Sequence, residues 1–197
     1  VAIPAADDFN RSNGALGVTS VGARTWVTSG SGFAVTTNKA AFTGASDAWA
    51  VVDSGVADGY AIEFTLSAIT GQWPFGVICR ATSETVGLKL YRDNGGSGTW
   101  NLMDGVGFLA SVVAAAPSAG DVIKVVVRTN NFKLYINNVL KATYDYTGSV
   151  ASAGTYQGIA AAGGLALTVD DFSISAPDAP RRPTMVASQA AQRASRR

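Results

Sequence analysis

Along much of the chain apolar and polar residues alternate with period two, the signature of strands half-buried on a sheet. Over 60–66, Tyr60, Ile62, Phe64 and Leu66 fall on one side and Ala61, Glu63 and Thr65 on the other. Over 86–91, Val86, Leu88 and Leu90 oppose Gly87, Lys89 and Tyr91. The stretch 121–128 sets Ile123, Val125 and Val127 against Lys124 and Arg128, and Phe132, Leu134 and Ile136 follow with Lys133 and Tyr135 outward. Thr129-Asn130-Asn131 and Asn137-Asn138 interrupt this pattern, and Asn tolerates the positive φ that tight hairpin turns require. The pattern predicts a three-stranded meander over 121–145. Further strands are predicted at 7–11, 24–28, 33–37, 39–43, 48–53, 75–81, 98–104, 107–113, 156–162 and 166–175. Glycine-rich breaks such as Ser29–Gly32, Asp93–Gly98 and Ala162–Gly164 separate them. A dozen or more short antiparallel strands without a long internal repeat imply a two-sheet sandwich.

Composition fits an all-β domain with a real core. Hydrophobic residues make up 47% of the chain and charged ones 15%, while 22 glycines and only two glutamates make long surface helices improbable. Apolar runs stay short of the ~18 residues that a membrane span takes. The absence of histidine excludes an imidazole base, a His-ligated metal and a Ser-His-Asp triad. Cys79 is the single cysteine, which excludes an intramolecular disulfide and a Cys-cluster zinc site. In phase with Phe75 and Val77, it reads as a small buried hydrophobe. The opening Val1-Ala-Ile-Pro lacks the pattern of an export signal, so synthesis in a cytoplasm is the expectation. Charge divides the chain in two. Residues 177–197 carry five arginines against Asp178, whereas residues 1–176 hold ten basic and thirteen acidic groups. We therefore expect one domain over 1–176 and an extended basic tail over 177–197.

Two Asp-Asp-Phe segments bracket the body: Asp7-Asp8-Phe9-Asn10-Arg11 near its start and Val169-Asp170-Asp171-Phe172-Ser173-Ile174 near its end. With Trp26, the Phe33–Phe42 hairpin and Asp121–Tyr144 between them, the layout over about 7–175 resembles the concanavalin-A-like (laminin-G-like) jelly-roll superfamily. In particular it resembles the lectin-like domains of minor tail and other virion proteins of actinobacterial bacteriophages, and the Pro180-Arg-Arg-Pro183 tail resembles the ends of such proteins. The resemblance implies a jelly roll whose first and last strands pair. It further implies a non-enzymatic structural protein displayed on the virion surface, made in the host cytoplasm and present in many copies. Host-surface glycan and other virion proteins are the implied partners; nucleic acid and membrane insertion are not expected. A capsid-decoration or head-fibre protein without sugar binding and a bacterial carbohydrate-binding module are the alternatives.

A search for chemistry in the body yields little. Glycoside hydrolysis needs two facing carboxylates, but Glu63 is followed by Phe-Thr-Leu-Ser-Ala and Glu84 falls in a predicted turn. Asp7-Asp8 and Asp170-Asp171 invite a calcium reading, yet strand neighbours face opposite sides and each pair offers one carboxylate to any site. No cofactor is expected, with structural calcium left open. Aromatic rings are the better candidates, because pyranose faces stack on them while polar neighbours take the hydroxyls. The expected sugar contacts are Trp73, Tyr91, Arg92, Asn94 and Trp100. The competing reading has Trp26, Trp49 and Trp100 plugging the sandwich. In the tail, Arg181, Arg182, Arg193, Arg196 and Arg197 offer guanidinium forks to partner carboxylates, with Met185 and Val186 as a small apolar plug; these are the expected assembly contacts.

Overall fold

The computed structural model describes residues 5–70, 74–83, 87–92, 98–104, 108–114, 116–147 and 154–177, and among these are fifteen strands and no helix. The larger sheet runs β13 (Val139–Asp145), β12 (Asn131–Ile136), β11 (Val122–Arg128), β6 (Tyr60–Thr70), β15 (Ala166–Ser175), β4 (Lys39–Phe42) and β3 (Phe33–Thr36). An eighth strand, β1 (Ala5–Asp7), pairs with β15. The smaller sheet runs β10 (Phe108–Val113), β9 (Thr99–Met103), β8 (Leu88–Arg92), β7 (Phe75–Ala81), β14 (Tyr156–Ala161), β5 (Ala48–Asp53) and β2 (Trp26–Ser29). Every pairing is antiparallel, and the first and last strands lie side by side, Asp7 opposite Phe172.

The described period-two residues predicted to point inward do so; Val86 lies outside the described residues. Ile62, Phe64, Ile123, Val125, Phe132, Leu134 and Phe172 from the larger sheet meet Phe75, Val77, Cys79, Leu88, Leu90 and Leu102 from the smaller one. Removing each large side chain from water contributes about 1.5–3 kcal/mol, so this layer dominates the stability of the sandwich. The meander over β11–β13 forms as expected, with Asn137 and Asn138 at φ 53° and 64°. At the preceding turn the left-handed residue is Thr129, at φ 49°, a costly conformation for a β-branched side chain. Its surroundings hold it there: the Thr129 amide donates to Asp58 Oδ1 at 2.6 Å, and its carbonyl accepts from Arg80.

Arg80 ties the two sheets together. It stands next to last in β7 of the smaller sheet, yet its guanidinium donates to Asp58 Oδ1 at 2.7 Å and to the Ala57 carbonyl at 3.1 Å, both leading into β6 of the larger sheet. Its own amide donates to the Tyr60 hydroxyl at 3.1 Å. Burial pushes the Asp58 carboxyl up, but the bonds from Gly59, Arg80 and Thr129 prevail and hold it below the ordinary carboxylate range. A second tie joins the sheets where Tyr144 of β13 donates to the Trp100 carbonyl of β9 at 3.0 Å. Cys79 is buried, and burial pushes its thiol up to about 12.

The opening strand departs from expectation. Predicted over 7–11, it stops at Asp7 because Phe9 turns to φ 51° and Asp7 gathers the chain around itself. The Asp7 carboxylate accepts from the Phe9 amide, from both terminal nitrogens of Arg11 at 2.8 Å, and from Trp26 Nε1 at 2.7 Å. Asp7 is thus spoken for by donors within the chain, while Asp8 is exposed. Among the described residues no cluster of three or more metal-ligating side chains occurs, and no helix is long and apolar enough to cross a membrane.

Candidate functional site

The outer face of the smaller sheet is built from unusually small residues. Register places Ser29, Trp49, Ala160, Gly76, Tyr91, Asn101 and Ser111 in one row across six strand pairings. The next row holds Val27, Val51, Gly158, Ile78, Lys89 and Met103. Gly76 and Gly158 leave the middle of the sheet bare. A Cβ on Gly76 would meet the Leu90 carbonyl oxygen at 2.7 Å and the Tyr91 ring at 3.1 Å; one on Gly158 would meet the Ala50 carbonyl oxygen at 1.9 Å. Large neighbours therefore lie down over the floor.

Lys89 crosses this floor and sets its ammonium 4.5 Å from the centre of the Trp49 ring, a cation–π contact. Its stem shelters apolar surface, as long cationic side chains commonly do. Burial lowers the Lys89 pKa, and Asp47 offsets part of that by favouring the ammonium. Beneath lie Trp49, Val51, Ile78, Ala81 and Ala160, an apolar cluster separate from the main core. On the other side Tyr91 stands half-buried, followed along the row by Asn101, whose side-chain oxygen accepts from Ser111 Oγ at 2.6 Å. The result is an aromatic step with a cation beside it and an amide–hydroxyl pair at its end.

Of the expected sugar contacts, Tyr91 occupies this face with the outward phase anticipated for it. Trp100 and Arg92 do not. Trp100 has no exposed surface, packs edge-to-face on Phe75 at 5.7 Å between ring centres, and so plugs the core without offering a stacking face. Arg92 pairs with Trp100 across β8 and β9, shares the inward phase of Leu88 and Leu90, and is 8% exposed. Among the described residues, Arg92 Nε and Trp100 Nε1 both lack a hydrogen-bond partner. Trp73, Asn94 and the tail residues Arg181, Arg182, Met185, Val186, Arg193, Arg196 and Arg197 lie outside the described residues. Trp49, which the competing reading put inside the sandwich, is instead the largest ring of the outer apolar cluster. Its strand is apolar on both faces, so no alternation revealed which way it pointed.

No protein-family model matches the chain, and no curated protein matches it in sequence. Solved structures do match in shape. The carbohydrate-binding module CBM66 from Bacillus subtilis superposes with a TM-score of 0.60 at 12% identity, over 76% of this chain and 94% of that one. The carbohydrate recognition domain of Emp47p superposes with a TM-score of 0.60 at 15% identity, over 89% and 96%. The GH43 protein BlXynB from Bacillus licheniformis matches with a TM-score of 0.61 at 16% identity, over 89% of this chain but 40% of that one. At such identities the likeness establishes the fold, a jelly-roll sandwich of the galectin and carbohydrate-binding-module kind.

Proposed function

We propose that the chain is a non-catalytic, lectin-like module that binds a glycan on the outer face of its smaller sheet. The observation that carries this reading is the row Trp49–Ala160–Gly76–Tyr91–Asn101–Ser111, where a floor of small residues lets aromatic rings and polar side chains share one shallow surface. Tyr91 is the stacking ring, Lys89 and Ser111 supply polar contacts, and the buried Trp49 and Asn101 stiffen the floor beneath them. No carboxylate stands on this row, which supports binding without hydrolysis. The fold likeness to carbohydrate-binding modules supports the same class.

Display on a bacteriophage particle, as a minor tail or capsid-decorating component anchored through the basic tail, is the finer form of the proposal. It rests on the two Asp-Asp-Phe segments and the arginine-rich end. A bacterial carbohydrate-binding module is the second reading, favoured by the CBM66 superposition. A glycan array separates binding from its absence: we expect at least one ligand whose signal falls about tenfold with Tyr91→Ala, the loss of one stacking contact. Uniform silence across neutral, acidic and cell-wall glycans would sink the lectin reading, and release of shortened sugars from a bound ligand would replace it with an enzyme. Sedimentation of the protein with phage particles, rather than with bacterial cell envelopes, decides between the two settings.

A further inference from the structure

We propose that the glycan held on the outer face of the smaller sheet is acidic, and that Lys89 takes its anionic group, a carboxylate or a sulfate ester. This rests on the lectin reading above and names the class of ligand within it. Lys89 and Tyr91 alternate with the buried Leu88, Leu90 and Arg92 along β8, so both stand on that face, about 7 Å apart at the backbone. Both reach away from their own strand. The Tyr91 ring lies over Gly76 of β7, 3.1 Å from where a Cβ would stand. The Lys89 ammonium reaches the Trp49 ring of β5, three strands away. Between Trp49 and Tyr91 the register leaves only Ala160 and Gly76. Strand spacing makes that gap about 14 Å between backbones, room for one sugar ring with the cation at its rim.

Among the described residues Lys89 forms no ion pair. Its cross-strand neighbours on β7 and β9 are Ile78 and Met103, both apolar. Asp47 favours the ammonium from a distance, but it is exposed and gives one carboxylate oxygen to the Gly163 amide at 2.9 Å. Neither register row that crosses the floor carries a carboxylate. Lys89 is partly buried against the Trp49 cluster, where a methionine would cover the indole without desolvating a charge. That desolvation is what lowers its pKa. A cation kept in such a place attracts an anion more strongly than one in open water, because the local dielectric is lower.

The charge on offer is single and compact. Lys89 is the one cation in the two rows, and an ammonium is a point donor without the planar fork of a guanidinium. A nucleic acid needs several phosphate contacts to bind, which these rows do not supply. A uronic acid, a sialic acid or a sulfated sugar carries one such charge at the edge of an apolar ring face. Tyr91 then stacks on the ring, Lys89 meets the charge, and Ser111 remains for a hydroxyl.

The test is an array of uronate-containing, sialylated and sulfated oligosaccharides, each beside its neutral parent (methyl-esterified or unsulfated), probed with the full chain. We expect at least one acidic ligand to bind about tenfold more tightly than its parent, in the range of a hydrogen bond to a charged group, and to weaken as salt rises. Its class, carboxylate or sulfate, identifies the anion. Lys89→Gln should bring that ligand down to the level of its parent and leave the parent unchanged. Lys124→Gln, a charge removed on the opposite sheet, should alter neither. Thermal melts of each variant separate lost binding from lost folding. Equal binding of acid and parent, weakened by Tyr91→Ala but indifferent to Lys89→Gln, would overturn the acidic ligand and leave the lectin reading standing. An acidic preference that survives Lys89→Gln would overturn the role of Lys89. Silence across every glycan would remove the lectin reading itself, and this inference with it.

Discussion

The two outer faces of the sandwich arise from the same alternation of side chains but are built to different depths. On the smaller sheet the surface is fixed by backbone: Gly76 and Gly158 stand where a methyl group would strike a neighbouring strand, and the rings above depend on that clearance. On the larger sheet the surface is only a side chain deep. Lys124, Lys133 and Tyr135 stand on ordinary strand positions that accept almost any residue. A face of the first kind changes only with the fold beneath it, whereas the second kind is free to vary in charge.

The largest effect should come from Gly158→Ala, because the clashing atom belongs to backbone and cannot rotate away. We expect a loss of about 3 kcal/mol, read as a lowered denaturation midpoint with an unchanged slope. A tolerated alanine would show that the smaller sheet's face is as shallow as the other. Trp49→Ala comes next, at about 3 kcal/mol, the low end for a buried ring because Trp49 belongs to a secondary cluster. Between the faces, Cys79 reports on the common core: with its thiol pushed up to about 12 by burial, it should resist a disulfide reagent at pH 8 until the chain is unfolded. Modification of the native protein at the rate of a free thiol would mean that the layer opens locally.

On the larger sheet, Asp170→Asn should stabilise slightly at pH 7. Partial burial raises the Asp170 pKa, Asp171 and Asp8 push the same way, and the Asp171 amide and Lys39 only partly oppose them. A carboxyl raised in the folded state favours folding below its unfolded pKa and loses that contribution as pH rises through the folded value. Asparagine keeps an acceptor for the Asp171 amide without the charge, so the gain in melting temperature should vanish in acid below about pH 4, the ordinary carboxylate range. Smallest of all, Lys124→Gln or Lys133→Gln should leave stability within about 0.5 kcal/mol. A marked loss would mean that these lysines hold the sheet together.

Sequence legibility follows the same division. The meander over β11–β13 was readable because one face is charged and the other aliphatic, and because Asn137-Asn138 supplies the turn. Trp49 was not, since Ala48–Val52 is buried on both sides and parity carries no signal there. Trp100 and Arg92 show a different failure. Their inward phase was present in Leu88, Leu90 and Leu102, but a guanidinium next to a turn invites a surface reading. The true end of β1 lay in the hands of Trp26, nineteen residues away, whose indole reaches Asp7. Local pattern holds no record of that contact.

The pairing of β1 with β15 has a mechanical consequence. Ala5 faces Ile174, so the outer end of the first strand sits beside the outer end of the last. Tension applied through Ala5 and Ser175 therefore loads their hydrogen bonds one after another, as a zipper, and not all together in shear. Three residues peel first, and the Asp7 clasp with Arg11 and Trp26 is the first firm stop that the pull would meet. A module held at both ends would give a little under load before its two sheets felt any of it.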